Sequence, residues 1–217
     1  MYDTVFFDLD GTVTDSAPGI LNSVRFALCR HFEALGVVGR EYSDSELNRF
    51  IGPPLIDTFQ SFLPCSHAEA EKCLRWYREY FRPKGIYENS VYPGIIELFM
   101  ALRSRGVRIV LATAKPEPFA RIILDHFGLT GYFAAIHGAT MDEGRNKKHQ
   151  VIAWALTHSG EIGRVIMVGD RENDVSGAKA NGLDCIGVLW GYGCKRELTD
   201  AGASRLCSSP QELLSMI

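Results

Sequence analysis

The chain has 217 residues, room for one domain of about 150 residues plus a substantial insertion and too few for a multidomain machine. Hydrophobic residues make up 46% and charged residues 23%, the balance of a chain with a packed core and not of a disordered one. Lys and Arg total 23 against 26 Asp and Glu, a formal net charge of −3 without a basic block or an acidic tail. That argues against a non-specific nucleic-acid or membrane binder and leaves a small anionic substrate open.

Thr4 to Asp8 (TVFFD) is a short β-branched and aromatic run, the pattern of a buried strand. From about Ser16 to Tyr87 the chain reads as helix after helix. Ser43-x-x-Glu46 and Ser66-x-x-Glu69 are capping boxes at helix starts, and Gly52-Pro53-Pro54 is a turn between helices. After the second box, Ala70, Cys73, Tyr77, Tyr80 and Phe81 form an apolar stripe that ends before Pro83. The aromatic residues Trp76, Tyr77, Tyr80 and Phe81 read as the core of this segment and not as a base-stacking platform. Beyond it, helical patterns at 95–105, 118–127, 150–158, 175–180 and 210–216 alternate with strand runs at 107–113, 134–138, 165–170 and 185–189. The alternation predicts a doubly wound parallel sheet covered on both faces, with ligands at the C-terminal ends of the strands. The expected domains are an α/β core of residues 1–15 and 88–217 and a helical insertion of 16–87.

Four polar clusters fall at strand ends. Asp8 and Asp10 follow the first strand in Asp8-Leu9-Asp10-Gly11-Thr12, and a carboxylate exposed after an apolar strand is costly unless it is paired or bound to a metal. Thr113 ends the run VRIVLAT, and the backbone N–H groups after it are expected to open a helix that would suit a phosphate oxygen, with Pro116 in its first turn. Lys147 and Lys148 precede Val151-Ile152, where a lysine delivers fixed positive charge. Asp170 ends VIMVGD and Asp174 follows one helical turn later, so that with Asp8 they offer carboxylate oxygens suited to magnesium.

No apolar run approaches the roughly 18 residues of a membrane span. The first motif begins by Phe7, which leaves no room upstream for a signal peptide of about 15–30 residues. Cys29, Cys65, Cys73, Cys185, Cys194 and Cys207 make no Cys-x-x-Cys pair and read as reduced thiols, with Cys194 expected at the surface. A cytoplasmic location is therefore expected.

The set DLDGTVTD, a strand ending in Thr113, a lysine ahead of Val-Ile, and GDRxxD resembles, in this order, the four motifs of the haloacid dehalogenase (HAD) superfamily. The inserted helices are similar to its C1 type of cap. Ile51-Gly52-Pro53-Pro54-Leu55, Lys115-Pro116-Glu117-Pro118-Phe119-Ala120 and Trp190-Gly191-Tyr192-Gly193 resemble the phosphoglycolate phosphatase group, some members of which are called 5′-nucleotidases.

That resemblance implies a HAD-like Rossmannoid core and a Mg-dependent phosphatase acting on a small phosphorylated metabolite. Phosphoglycolate, a nucleoside monophosphate and a sugar phosphate all fit. Asp8 is the implied nucleophile, and Asp10 the acid and then base. Mg2+ is held by the Asp8 and Asp170 carboxylates and the Asp10 main-chain carbonyl, with Asp174 as a further ligand or support. Thr113, the Ala114 N–H and Lys148 bind the phosphoryl group; Lys148 is preferred to Lys147 for its spacing to Val151-Ile152. Two departures are Ala114, where relatives often carry Asn or Ser, and the absence of a Lys-Pro-x-Pro form at 146–149. A phosphosugar mutase of the β-phosphoglucomutase type is the alternative. A phospho-accepting regulatory module is a third reading, disfavoured by Asp10, which would shorten the life of an acyl phosphate. The expected assembly is a monomer or weak homodimer, with no nucleic-acid or membrane partner.

Overall fold

Val5, Phe6 and Phe7 are wholly buried, and because successive strand residues face opposite ways, they seed a core on each side of a sheet. In the computed structural model, which describes residues 2–142 and 144–217, they belong to β1 (Thr4–Phe7). Two short strands follow, β2 (Thr14–Asp15) and β3 (Ser90–Val91). The remaining strands are β4 (Arg108–Pro116), β5 (Ala135–Ala139), β6 (Val165–Gly169), β7 (Asp184–Val188) and β8 (Arg205–Cys207). Six of them form one parallel sheet in the order β5-β4-β1-β6-β7-β8, while β2 and β3 pair antiparallel.

Helices cover both faces. The core helices are α5 (Ile95–Ser104), α6 (Glu117–His126), α7 (Lys148–His158), α8 (Glu172–Ala180), α9 (Lys195–Ala201) and α10 (Pro210–Met216); the four before them, α1 to α4, lie in the insertion and are bounded below. Phe6 packs with Val110, Met167, Val151, Ile152 and Val175, so α7 and α8 close one face. Phe7 meets the ring of Phe99 on α5 edge-on at 5.2 Å on the other. Each such buried ring contributes about 1.5–3 kcal/mol. The register places the chemistry: Phe7 stands level with Leu111 of β4 and Val168 of β6, so Asp8, Thr113 and Asp170 come together at the C-terminal end of the central strands.

The α/β alternation matches the sequence rhythm, but the short strands β2 and β3 were not expected, and further differences follow. β8 and α9 were not expected: β8 is only RLC, and α9 (KRELTDA) buries Leu198 alone, so neither shows an apolar period. β4 runs on through Pro116, and α6 starts at Glu117 with Pro116 as its N-cap. A proline disfavours helical geometry in the residue before it, and Pro116 holds Lys115 extended. The backbone after Thr113 is therefore strand, and Pro118, not Pro116, occupies the first helical turn.

By contact the chain divides into Met1–Asp15 with Ser90–Ile217, and Ser16–Asn89. Residues 1 and 143 of the expected core lie outside the described residues. The second unit runs two residues past the expected limit of 87 because Glu88 is tied to its helices: its carboxylate accepts from Asn22 at 2.9 Å and Tyr80 at 3.0 Å. This unit contains α1 (Ala17–Ala34), α2 (Asp44–Leu47), α3 (Leu55–Phe62) and α4 (His67–Phe81). Both capping boxes form, with Glu46 and Glu69 accepting from the backbone of Ser43 and Ser66. Ala70, Cys73, Tyr77 and Phe81 are buried, Tyr77 and Phe81 stacked, whereas Trp76 and Tyr80 are half-buried.

Candidate active site

β1 delivers Asp8 at its C-terminal end, where the Asp8 N–H donates to Val168 of β6 at 3.0 Å. The chain must then turn sharply, and Gly11 does so at φ 86°, a left-handed conformation. A Cβ on Gly11 would stand 2.3 Å from an Asp170 oxygen, so only glycine lets this loop close over the second carboxylate. Thr12 then donates its hydroxyl to Asp170 Oδ1 at 3.1 Å. The other oxygen of Asp170 accepts the Tyr192 N–H at 2.8 Å. Tyr192 sits in the Trp190–Gly193 loop, whose indole also donates to Thr12 O at 3.0 Å.

Asp174, the third residue of α8, turns one oxygen back onto the Arg171 N–H at 3.0 Å, as a helix N-terminal carboxylate does. Its other oxygen lies 2.8 Å from Lys148 Nζ, which also approaches Asp8 Oδ1 at 2.5 Å and donates to Ala112 O at 3.2 Å. Lys148 is buried at the start of α7, whereas Lys147 is its exposed N-cap. The lysine doublet is thereby separated: Lys148 is in the cluster and Lys147 faces out.

Asp8, Asp170 and Asp174 are all buried, with one oxygen from each lying within 4.8 Å of the others. Burial pushes Asp8 up to about 6, with Asp174 adding to it and Lys148 opposing. Burial likewise raises Asp170 well above the usual carboxylate range, reinforced by Asp174 and Asp8. For Lys148, burial acts against the charge, but Asp174 and then Asp8 outweigh it and hold the ammonium more firmly than in water. With all three carboxylates ionised, the group and its one ammonium carry two negative charges in a buried space. A divalent cation of the hard, oxygen-seeking kind fits that deficit and donor set.

Thr113 is buried beside Asp8, and its hydroxyl lowers the Asp8 pKa by hydrogen bonding. The hydroxyl oxygen in turn accepts the Lys115 N–H at 3.2 Å. Ala114 falls where the β4–β5 register shifts, between Ala112 and Pro116. Asp10 is not part of the three-carboxylate group. Both its oxygens accept from Lys115 Nζ, at 2.9 and 3.0 Å, in a pair with only 5% and 13% of the side chains exposed.

The Lys115 contact, the Thr12 hydroxyl and the Tyr192 N–H are the partners that sequence reasoning left without a role. Lys115 and Tyr192 stand in segments already singled out, but their contacts depend on the extension of β4 and on a loop 22 residues beyond Asp170. His31 and His137 are buried, and no histidine belongs to the carboxylate group found among the described residues. Cys194 is exposed, as expected.

A family model described as haloacid dehalogenase-like hydrolase matches residues 5–188. The chain is 41% identical over 208 residues to a protein named 5′-nucleotidase from Pseudomonas aeruginosa, covering 95% of this chain and 91% of that one. It is also 41% identical over 191 residues to a protein named tyrosine-protein kinase PtkA from Mycobacterium tuberculosis, covering 87% of this chain and only 62% of that one. Among solved structures, a predicted phosphatase from Clostridium acetobutylicum superposes with a TM-score of 0.92 at 41% identity, covering 100% of this chain and 98% of the other.

Proposed function

The chain belongs to the haloacid dehalogenase-like hydrolases, and from that premise we propose that this phosphoric monoester hydrolase is magnesium-dependent and works through an aspartyl-phosphate on Asp8. The observation that carries the reading is the buried group of Asp8, Asp170 and Asp174 around Lys148 at the end of the central strands. A carboxylate pressed against an ammonium, beside further acids whose charge a divalent cation would balance, suits attack on a phosphoryl group.

In this reading an Asp8 oxygen forms a bond to phosphorus as the bond to the leaving oxygen breaks, and Asp10 supplies the proton that the departing oxygen needs. Water then attacks phosphorus, its proton passes to Asp10, and Asp8 is released. Lys148, the Thr113 hydroxyl and the Ala114 N–H bear on the charge of the transferring phosphoryl group. Asp8, Asp170 and the Asp10 main-chain carbonyl would hold Mg2+, with Asp174 beside them, and the ion supplies positive charge to the phosphoryl oxygens when bound.

The substrate is a small phosphorylated metabolite. A nucleoside monophosphate is favoured by the name of the Pseudomonas aeruginosa relative, and phosphoglycolate and sugar phosphates are the other members of the class. The protein acts in the cytoplasm, in keeping with six free cysteines, as a monomer or weak homodimer. Among the described residues no helix is long and apolar enough to cross a membrane.

The test is phosphate release from a panel of these esters with Mg2+, with product analysis. Inorganic phosphate from at least one ester, abolished in Asp8→Asn, supports the reading. No phosphate from any ester overturns it. So does isomerisation of a sugar phosphate without phosphate release, which is the mutase outcome, or transfer to a protein tyrosine.

A further inference from the structure

We propose that Lys115 is a positioning residue for Asp10, a role that rests on the phosphatase reading above. The observation is the buried ion pair: one ammonium within 3.0 Å of both oxygens of one carboxylate. A carboxylate on a loop rotates freely unless something grips both oxygens, and a two-oxygen contact fixes direction as well as distance. The neighbouring backbone explains why a lysine reaches it. Thr113 and Lys115 are two residues apart on β4, in the stretch where its register against β5 shifts, and the Lys115 N–H is anchored on the Thr113 hydroxyl. Had a helix begun directly after Thr113, Lys115 would point elsewhere. The extension of β4 to Pro116 is therefore what brings it to Asp10.

The buried pair is costly to assemble, since both charges leave water, and an apolar residue of similar length would fill the space without that cost. Its place at the proposed acid and base, separate from the three-carboxylate group, points to orientation of Asp10.

If Asp10 hands a proton to the departing oxygen, misplacing it harms esters whose leaving oxygen needs that proton and spares those whose leaving group departs as a stable anion. The experiment compares Lys115→Met, Lys115→Arg and wild type on an alkyl phosphate from the active panel and on p-nitrophenyl phosphate. The expected result is a single-turnover rate of aspartyl-phosphate formation about 10–100-fold lower on the alkyl ester in Lys115→Met, with KM within about threefold, a loss of that rate under about threefold on p-nitrophenyl phosphate, and partial recovery in Lys115→Arg. In an Asp10→Asn background, Lys115→Met then adds no further loss.

Equal losses in the rate of aspartyl-phosphate formation on both esters, a change confined to KM, or multiplying losses in the double variant overturn the proposal. If Lys115→Met does not fold, Lys115→Gln is measured against the same criteria. Wild type lacking phosphatase activity would instead defeat the underlying reading, whereas an active wild type with unaffected Lys115 variants defeats this inference alone.

Discussion

Lys148 Nζ stands 2.5 Å from Asp8 Oδ1 with both side chains almost wholly buried. The same ammonium holds Asp174 at 2.8 Å, so one lysine restrains the proposed nucleophile and a proposed ion ligand together. Removing it strands two buried carboxylates. Lys148→Met is expected to lower phosphate release by at least about 100-fold, the scale of losing a charge-stabilising group in a dry site. It is also expected to destabilise the fold by about 3–5 kcal/mol, as when one partner of a buried pair is removed. Steady-state kinetics and urea unfolding measure the two effects separately.

The charge deficit of the three-carboxylate group predicts stabilisation by Mg2+. An ion that binds only the folded chain adds about 2.7 kcal/mol at a concentration 100 times its Kd, read as a rise in Tm. In Asp170→Asn the rise should vanish, while the metal-free variant should melt above metal-free wild type because one of three crowded acids has been neutralised. A wild-type Tm indifferent to Mg2+ would count against ion binding at Asp8 and Asp170.

Thr12 carries no assigned chemistry, yet its hydroxyl fixes one oxygen of Asp170. Thr12→Val keeps the shape and deletes the donor. The expected outcome is about 10–100-fold weaker Mg2+ activation, together with about 1–3 kcal/mol lost to the unsatisfied buried oxygen. A magnesium titration of activity reads the first and denaturant unfolding the second.

His137, buried on β5, bonds Ser159 Oγ through Nε2 at 3.0 Å. Burial lowers its pKa; Arg145, His158 and Arg121 act the same way, and Glu117 opposes them. The ring therefore stays neutral in the fold at a pH where the unfolded chain, with an ordinary value of about 6.5, takes up a proton. This group's contribution is present above the unfolded value and declines as pH falls below about 6.5 towards the lowered folded value. His137→Gln should flatten the stability profile across that interval, as followed by unfolding at successive pH values.

Asp8 and Asp170 were legible because each stands directly after an apolar strand, TVFF before the one and VIMVG before the other. The register between β1, β4 and β6 then brings strand ends together whatever lies between them in sequence. The lysine doublet was legible as a pair only, since burial and not spacing separates Lys148 from Lys147. What the residues could not reveal depends on context. β8 owes its pairing to β7, α9 is short and polar, and the run of β4 beyond Thr113 follows from Pro116 acting on Lys115. The Lys115–Asp10 pair spans 105 residues and carries no local pattern at all.

The central claim, that Asp8 is the group phosphorylated during turnover, is tested most directly by rapid acid quench of the enzyme turning over an ester from the active panel, followed by peptide mapping. The account predicts a phosphoryl group on the peptide holding Asp8, formed before steady state and absent in Asp8→Asn. Full turnover by Asp8→Asn, or a phosphoryl group trapped on another residue, would contradict it.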